Sequence, residues 1–197
     1  MNNNDPPLTY ATGKLIAVFA GKPQVIAEQR GHPVLSAINK APIAGPVMVR
    51  TLNIDGDGQA DLTVHGGIDK AVYCYPAEHY TAWQSELARQ LAYGTFGENL
   101  TVTGFLEASL HIGDVLTVGG AILQVSQPRF PCFKLGIKLD DPLMVRRFQK
   151  SGRSGFYCRV LQEGLIEAGQ AITVVERDAA QPTIEAVVAR VNKEDGI

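Results

Sequence analysis

The segment VLTVGGAILQVS, residues 115–126, carries the clearest fold signal in the chain. Two runs of apolar and branched residues flank Gly119 and Gly120. A two-residue glycine loop supplies the positive φ angles that a tight turn between two antiparallel strands needs. The segment therefore predicts a β-hairpin with one strand on each side of the glycine pair.

Further strand-like segments, separated by glycine and proline turns, extend from this hairpin in both directions. Branched and aromatic residues predict strands at 14–19, 25–28, 71–75, 98–102, 156–161 and 172–176. We expect 25–28 to pair with 14–19, and 156–161 to pair with 172–176. The proline-containing stretch 31–46 is expected to be an extended loop, and the stretch 53–69, rich in glycine and aspartate, a polar connector.

Helical spacing of apolar residues predicts a small number of helices. They are expected over 76–91, from 141 to about 152, and over 183–192. Many short strands with few helices predict a mainly β fold, a closed or nearly closed β-barrel with peripheral α-helices. The corresponding domain boundaries are a disordered lead at 1–12, the barrel at 13–178 and a C-terminal amphipathic helix within 179–197.

The bulk composition excludes several classes of protein. The chain has 197 residues, is 45% hydrophobic and carries a formal net charge of -2, so no basic field favours nucleic acid. No apolar run reaches the ~18 residues of a membrane span, and the polar N-terminus does not resemble a signal peptide. Three cysteines are too sparse for a disulfide framework or a zinc finger. We therefore expect a cytoplasmic protein without nucleic-acid or membrane partners.

The segment QPRFPCFKL, residues 127–135, is the densest candidate for chemistry. Cys132 follows a predicted strand and stands between Arg129 and Lys134, whose positive charges favour a thiolate. A thiolate is a soft ligand that suits a thiophilic metal. A lone cysteine is more often a buried structural residue, and on the residues alone both interpretations stay open.

A second candidate is VHGGIDKAVYCY, residues 64–75. Gly66 and Gly67 can direct backbone amides at an anion, and His65 and Lys70 add positive charge beside them. A plain turn at the start of a strand is the simpler interpretation, unless this loop faces Cys132.

A third candidate is TFGENLTVTG, residues 95–104. Gly97 permits a close backbone approach, and Asn99 offers an amide that can donate and accept, although a strand-entry turn is again the simpler interpretation. The acidic stretch at 53–61, NIDGDGQAD, has the composition of a calcium loop. Neither of its two registers places glycine and glutamate where an EF-hand needs them, so it predicts a turn.

Several motifs resemble the MOSC domain family when they are taken together and in order. They are GDGQADLTVHGGIDKAVYCYPAEHY at 56–80, FGENLTV at 96–102, IGDVLTVGGAILQVSQPR at 112–129 and PCFKL at 131–135. The family is named for the C-terminal domain of molybdenum cofactor sulfurases, and the chain is most similar to its stand-alone bacterial YiiM type. The resemblance extends over nearly the whole chain, from about the first strand to residue 176.

The resemblance implies a fold, a cofactor and a set of site residues. The fold is the MOSC type, similar to the PK β-barrel. The cofactor is molybdopterin with molybdenum, and Cys132 is implied as the ligand of the metal or as a carrier of sulfur. The residues expected to bind the cofactor are His65, Gly66, Gly67, Lys70, Gly97, Asn99, Arg129 and Lys134.

The resemblance also implies an activity. Stand-alone members are similar to the mitochondrial amidoxime-reducing components, so we expect a molybdenum-dependent reductase of N-hydroxylated compounds such as hydroxylaminopurines. A separate reductase is the expected electron donor, and association into a homodimer stays open. One alternative is a cofactor carrier or sulfur-transfer protein with a persulfide on Cys132, and another is an adaptor that associates through its terminal helix.

The end of the chain departs from the family pattern. YiiM-type proteins continue after the barrel into three helices, whereas here one amphipathic helix precedes Ile197. Its apolar stripe is expected to pack on the barrel or on another subunit. The pyridoxal-phosphate domain of a full sulfurase is also absent from this sequence.

Overall fold

The computed structural model describes residues 10–60 and 66–197. This part of the chain forms twelve strands and four short α-helices. The strands are β1 (Ala11–Ala20), β2 (Gln24–Gln29), β3 (His32–Ser36), β4 (Ala41–Pro42), β5 (Val47–Val49), β6 (Val72–Pro76), β7 (Leu100–Thr103), β8 (Val115–Val118), β9 (Ala121–Pro128), β10 (Phe156–Gln162), β11 (Gly164–Ile166) and β12 (Ala171–Glu176). The α-helices are α1 (Glu78–Glu86), α2 (Phe133–Leu139), α3 (Met144–Ser151) and α4 (Ile184–Glu194).

Seven of these strands close into a barrel. Their order around it is β12, β8, β9, β10, β6, β7 and β1, and β1 pairs again with β12 to complete the circle. The pairing of β6 with β7 is parallel, and the other six are antiparallel. Because closure leaves no exposed sheet edge among these seven strands, every neighbouring pair contributes backbone hydrogen bonds. The predicted mainly β barrel with peripheral helices is confirmed.

The barrel interior is filled by the alternating side chains of its strands. In β9, Ala121, Leu123 and Val125 are buried while the residues between them are partly exposed, as expected for a strand that presents one face to a core. A second hydrophobic cluster lies outside the barrel, where α1 and α3 pack around Trp83 and Phe148 with their rings stacked at 5.9 Å. This aromatic layer fixes α3 and the preceding helix α2 against the barrel.

The hairpin at Gly119 and Gly120 is confirmed, since Val118 pairs with Ala121. The predicted pairing of 25–28 with the first strand is wrong, because β2 pairs with β3. Arg30 and Gly31 both have positive φ, which gives the tight turn that joins these two strands. The stretch 31–46 is therefore not a loop, since it contains β3 and β4.

The predicted pairing of 156–161 with 172–176 is also wrong. Both segments are strands, but β10 lies between β9 and β6, and β12 lies between β1 and β8. The chain between them forms β11, which pairs with β5 outside the barrel.

The observed helices differ from the prediction chiefly in the length of the first helix and in one additional helix. The first helix ends at Glu86, before the predicted end at 91, and Ala88 beyond it has φ 50°. The helix α2 was not predicted, because it has only seven residues and so short a segment shows no recognisable helical periodicity.

The two ends of the chain are placed as follows. Residues 1–9 of the expected lead lie outside the described part, and β1 begins at Ala11, slightly before the predicted start of the barrel. At the other end, the Thr183 hydroxyl accepts a hydrogen bond from Ala186 N at 3.1 Å and caps α4. Ile184 and Val188 of that helix are buried in the barrel's hydrophobic cluster.

None of the described helices is both long enough and apolar enough to cross a membrane.

Candidate functional site

Cys132 lies in the connection between β9 and α2, at the residue that immediately precedes the helix. Its backbone is extended, with φ −118° and ψ 171°, and its carbonyl accepts a hydrogen bond from Leu135 N at 3.0 Å. Leu135 and Leu139 are buried, so the short helix is held against the body of the protein. Cys132 itself is only partly buried. The result is a thiol at a fixed position with access to solvent.

The thiol opens onto a cavity formed by segments that are far apart in sequence. Its lining comes from the end of β3 and the segment after it, from residues 57–60, from Lys70, from the strands β6 and β10, from the turn before β7, and from the connection that carries Cys132 with the start of α2. The lining residues are Ser36, Ala37, Ile38, Lys40, Asp57, Gly58, Gln59, Ala60, Lys70, Tyr73, Phe96, Gly97, Asn99, Arg129, Cys132, Lys134 and Tyr157. This lining combines one thiol, several cationic side chains and aromatic rings.

Arg129 is the most deeply buried cation of this cavity, with 7% of its surface exposed. Its guanidinium lies over the rings of Phe148, at 4.8 Å, and Tyr73, at 5.4 Å. Burial acts to lower the pKa of Arg129, but interactions with Tyr73, Tyr157 and Cys132 raise the pKa above its usual value. Among the described residues, Nη1 of Arg129 is buried without a hydrogen-bond partner. A buried, charged donor without a partner is costly, which marks this position as one that a ligand could satisfy.

Lys40 enters the cavity beside a buried acid. Its Nζ forms an ion pair with Asp57, and the side chains of the two residues are 7% and 1% exposed. Asp57 also accepts hydrogen bonds from Gly21 N at 2.8 Å and from Asn99 Nδ2 at 2.8 Å. Burial lowers the pKa of Lys40, and the attraction of Asp57 partly opposes that shift. The pair therefore holds one wall of the cavity in place.

Asn99 connects this pair to the barrel. Its Oδ1 accepts from Tyr73 N at 3.1 Å, while Nδ2 donates to Asp57 and to the Phe19 carbonyl at 3.3 Å. One amide thus ties together β6, β1 and the loop that carries Asp57. Asn99 therefore fixes the position of Asp57 in the cavity wall.

A second buried carboxylate lies behind the cavity. Glu98 is fully buried and accepts hydrogen bonds from the Tyr80 hydroxyl, from Gly94 N at 2.7 Å and from Thr101 Oγ1 at 2.9 Å. Lys138 of α2 donates to the carbonyls of Ile38 and Gly94, at 2.7 Å and 3.1 Å. Burial lowers the pKa of Lys138 to about 8, with Glu98 acting in the opposite direction.

The structure brings together most of the residues expected from the sequence. Cys132, Arg129, Lys134, Lys70, Gly97 and Asn99 all line the one cavity. Gly97 has φ 79°, and a Cβ there would lie 2.8 Å from Ile38 Cγ1, so this wall needs a glycine.

Gly66 and Gly67 are not among the described lining residues, and Gly67 is exposed with φ 85°. Their segment nevertheless brings Lys70 to the cavity, because Lys70 N bonds to the Gly67 carbonyl at 3.1 Å. His65 lies outside the described residues.

Sequence reasoning missed Lys40 and Asp57. Lys40 falls in the stretch expected to be a loop, and Asp57 in the stretch considered for calcium. The available signal was an aspartate between two glycines, which shows that the backbone turns there but not which cation the carboxylate meets.

The three cysteines have different environments. No disulfide joins them, and Cys74 and Cys158 are buried in the barrel core. Burial, together with a hydrogen bond to the neighbouring Cys74, raises the pKa of the Cys158 thiol well above its usual value. Cys132 is therefore the cysteine placed for chemistry. Within residues 10–60 and 66–197, no three histidine, cysteine or acidic side chains converge as a metal site.

A family model, related sequences and solved structures all show similarity to this chain. The MOSC domain model matches residues 61–173. YflK of Bacillus subtilis is 46% identical over 163 residues, which cover 83% of this chain and 73% of YflK. The crystal structure of YiiM from Geobacillus stearothermophilus aligns with a TM-score of 0.77 and 35% identity, over 92% of this chain and 85% of that one. A Gibberella moniliformis protein named "Reductase" is 36% identical over 88% of this chain but only 31% of its own length.

Proposed function

Because the chain belongs to the MOSC domain family, we propose that it binds the molybdenum cofactor in the Cys132 cavity and reduces N-hydroxylated compounds there, such as hydroxylaminopurines. One observation carries the proposal. A partly exposed thiol shares a cavity with Arg129, a buried cation whose Nη1 has no partner among the described residues.

The residues of the cavity fit the chemistry of this cofactor. Molybdenum is thiophilic, and Cys132 Sγ is a soft ligand at the cavity wall. Molybdopterin carries a phosphate, and Lys40, Lys70, Arg129 and Lys134 provide positive charge around the same space. The Arg129 Nη1 donor gains the hydrogen bond that it lacks when an oxyanion occupies this position.

Each group in the chain then has a defined task. Cys132 holds the metal. Asp57 and Asn99 keep Lys40 oriented through their hydrogen bonds, so that the cationic wall is ready before binding. The aromatic rings of Tyr73 and Phe96 form the apolar part of the lining and limit the water around the reacting atoms. When bound, the cofactor supplies the two-electron chemistry that removes the oxygen of an N–OH group.

The electrons come from a donor outside this chain. In the Gibberella relative named "Reductase", the matched region makes up 31% of the protein, so it is one part of a longer chain. We propose that a separate reductase is the partner of the present chain. We propose that this donor is a protein that binds at the mouth of the Cys132 cavity and delivers electrons there.

The test is turnover of an N-hydroxylated base by protein made in a host that synthesises the cofactor, with an artificial reductant. We expect wild-type protein to produce the amine and Cys132→Ala to lose that activity. Cys158→Ala serves as a matched control, because it removes a thiol from the core and leaves the cavity lining intact. Unchanged turnover by Cys132→Ala would overturn the proposal.

The alternative is also visible in this experiment. Wild-type protein that turns over nothing, yet releases cofactor or sulfur to an acceptor protein, would identify a carrier. Arg129→Met gives a second readout that does not depend on turnover, since it should lower the amount of cofactor that copurifies.

A further inference from the structure

The helix α2, which begins immediately after Cys132, carries a lysine that is bonded to two distant parts of the chain. Lys138 Nζ donates to the Ile38 carbonyl at 2.7 Å and to the Gly94 carbonyl at 3.1 Å. Ile38 lines the Cys132 cavity, and Gly94 lies in the turn before β7. One ammonium group therefore connects α2 with positions that are 100 and 44 residues away along the chain.

The two parts of the chain that this ammonium reaches are the segments 36–40 and 94–99, which we call the wall segments. They pack directly on each other, because a Cβ at Gly97 would lie 2.8 Å from Ile38 Cγ1. The Gly94 carbonyl also accepts from Gly97 N at 3.1 Å, which closes the turn. The ammonium group is thus bonded to both segments where they meet. Together the wall segments contribute to the cavity lining Ser36, Ile38, Lys40, Phe96, Gly97 and Asn99.

The periodicity of α2 explains how Lys138 reaches the wall segments. Lys134, one turn earlier in the helix, lines the cavity, and residues four apart lie on the same helical face. The buried Leu135 and Leu139 also hold α2, through the aromatic layer outside the barrel. Apolar contacts are not directional, whereas a charged donor between two carbonyls fixes the positions of both acceptors. Lys138 therefore adds directional bonds to this packing.

The Lys138 ammonium is charged at neutral pH in spite of its burial. Burial lowers the pKa of Lys138 to about 8, with Glu98 acting in the opposite direction and Lys40 and Arg129 in the same direction as burial. A hydrogen bond from a charged donor is stronger than one between neutral groups. At neutral pH, α2 is thus bonded to each wall segment by a charge-assisted hydrogen bond.

We propose that Lys138 is a positioning residue, which sets the position of Cys132 relative to the wall segments by bonding α2 to the Ile38 and Gly94 carbonyls. Its consequence for cofactor binding rests on the proposed function, whereas its consequence for the thiol does not. Without these bonds, α2 and the adjoining Cys132 separate from the wall segments more often. The thiol then becomes more accessible, and the cavity holds the cofactor less well.

The first test is the rate at which iodoacetamide alkylates Cys132 at neutral pH, in the full chain without cofactor and with the modified cysteine identified by peptide mass. Lys138→Ala should react about tenfold faster than the wild type, since a hydrogen bond from a charged group stabilises by roughly that factor or more. Lys138→Met retains the apolar volume of the side chain and should accelerate alkylation in the same way. A rate in these variants that equals the wild-type rate would overturn the inference.

Arg89→Met is the matched control for alkylation. Arg89 Nη2 donates to the Leu139 carbonyl at 2.7 Å, so the variant also removes a bond between a cation and a carbonyl of α2. That bond joins α2 to the segment after α1 and not to a wall segment. We expect a rate within about twofold of the wild type. An acceleration as large as that of Lys138→Ala would show that any loosening of α2 has this effect, against the inference.

Chemical rescue separates positioning from general loosening. The compound n-propylammonium has the atoms that Lys138→Ala removes beyond Cβ, and it should return the alkylation rate of that variant towards the wild-type rate in a saturable manner. The compound n-propanol is similar in size but lacks the charge and has a single donor, so it should not do so. Equal effects of the two compounds, or no effect of n-propylammonium, would overturn the inference.

The second test is the amount of molybdenum per chain in protein from a host that makes the cofactor. We expect less molybdenum in Lys138→Ala than in the wild type and in Arg89→Met. Full molybdenum in Lys138→Ala would overturn the role of Lys138 in cofactor binding. Absence of molybdenum from all three proteins would contradict the proposed function alone, because the alkylation rates still decide whether Lys138 positions Cys132.

Discussion

Replacing Asp57 by asparagine should destabilise the wall of the Cys132 cavity. The carboxylate is 1% exposed and meets three donors, namely Lys40 Nζ, Gly21 N and Asn99 Nδ2. An asparagine removes the charge that balances Lys40 and puts an NH₂ group where one acceptor oxygen was. Removing one partner of a buried ion pair costs roughly 3–5 kcal/mol. Since the amide oxygen still accepts one bond, we expect a loss of about 3 kcal/mol near neutral pH.

The loss should shrink at high pH. Burial already lowers the pKa of Lys40, and removing Asp57 removes the main influence that raises it. Because the pKa of Lys40 is lower in the folded state than in the unfolded state, the unfolded state binds more protons at pH values between the two. Stability of the variant therefore rises with pH, until the unfolded lysine is also neutral.

The assay is urea unfolding of Asp57→Asn beside Asp55→Asn at several pH values. Asp55 lies two residues away and pairs with Arg50, but the two side chains are 51% and 47% exposed. Exposed ion pairs contribute little, so this control should behave nearly like the wild type. Equal losses for the two variants, or a loss for Asp57→Asn that does not change with pH, would refute the argument.

Three further predictions test other parts of the structure by unfolding measurements. Gly97→Ala should lower the free energy of unfolding by at least about 1–2 kcal/mol because of its positive φ, and by more because the added Cβ would lie 2.8 Å from Ile38. Gly113→Ala is the control, since Gly113 has φ 90° but nothing within 4 Å of the added Cβ, and it should show the backbone cost alone. Ile184→Ala should cost about 2–4 kcal/mol because this side chain is fully buried in the barrel core; a loss no greater than for the half-buried Val187→Ala would show that α4 does not pack as described. Lys138 has a pKa lowered by burial to about 8, so its contribution to stability rises from about pH 8 towards the unfolded pKa; a Lys138→Met variant that keeps the same rise would contradict this assignment.

The sequence predicted the barrel because the relevant signals are local. Branched residues around Gly119 and Gly120 are sufficient for a hairpin, since neighbouring residues determine the turn. The pairing of β10 with β6 and β9 is not local, because it joins residues whose separation depends on the intervening β11. A single sequence does not show such a connection, so the prediction pairs the two segments that are nearest in sequence.

The candidate site was predicted to a similar degree. Cys132 and Arg129 are close in sequence, and a cysteine between basic residues makes a reactive thiol one of the two interpretations that the residues alone leave open. Lys40 and Asp57 meet only because β1, β6 and the loop before it converge on Asn99. The ion pair between them depends on that convergence, so no spacing in the chain could have indicated it.

The central claim is that Cys132 holds molybdenum, and elemental analysis tests it most directly. Wild-type protein and Cys132→Ala are produced in a host that makes the cofactor, purified under reducing conditions and measured for metal per chain. We predict near-stoichiometric molybdenum in the wild type and its loss in the variant, with both proteins folded. Equal molybdenum in the two proteins, or none in either, would contradict the claim.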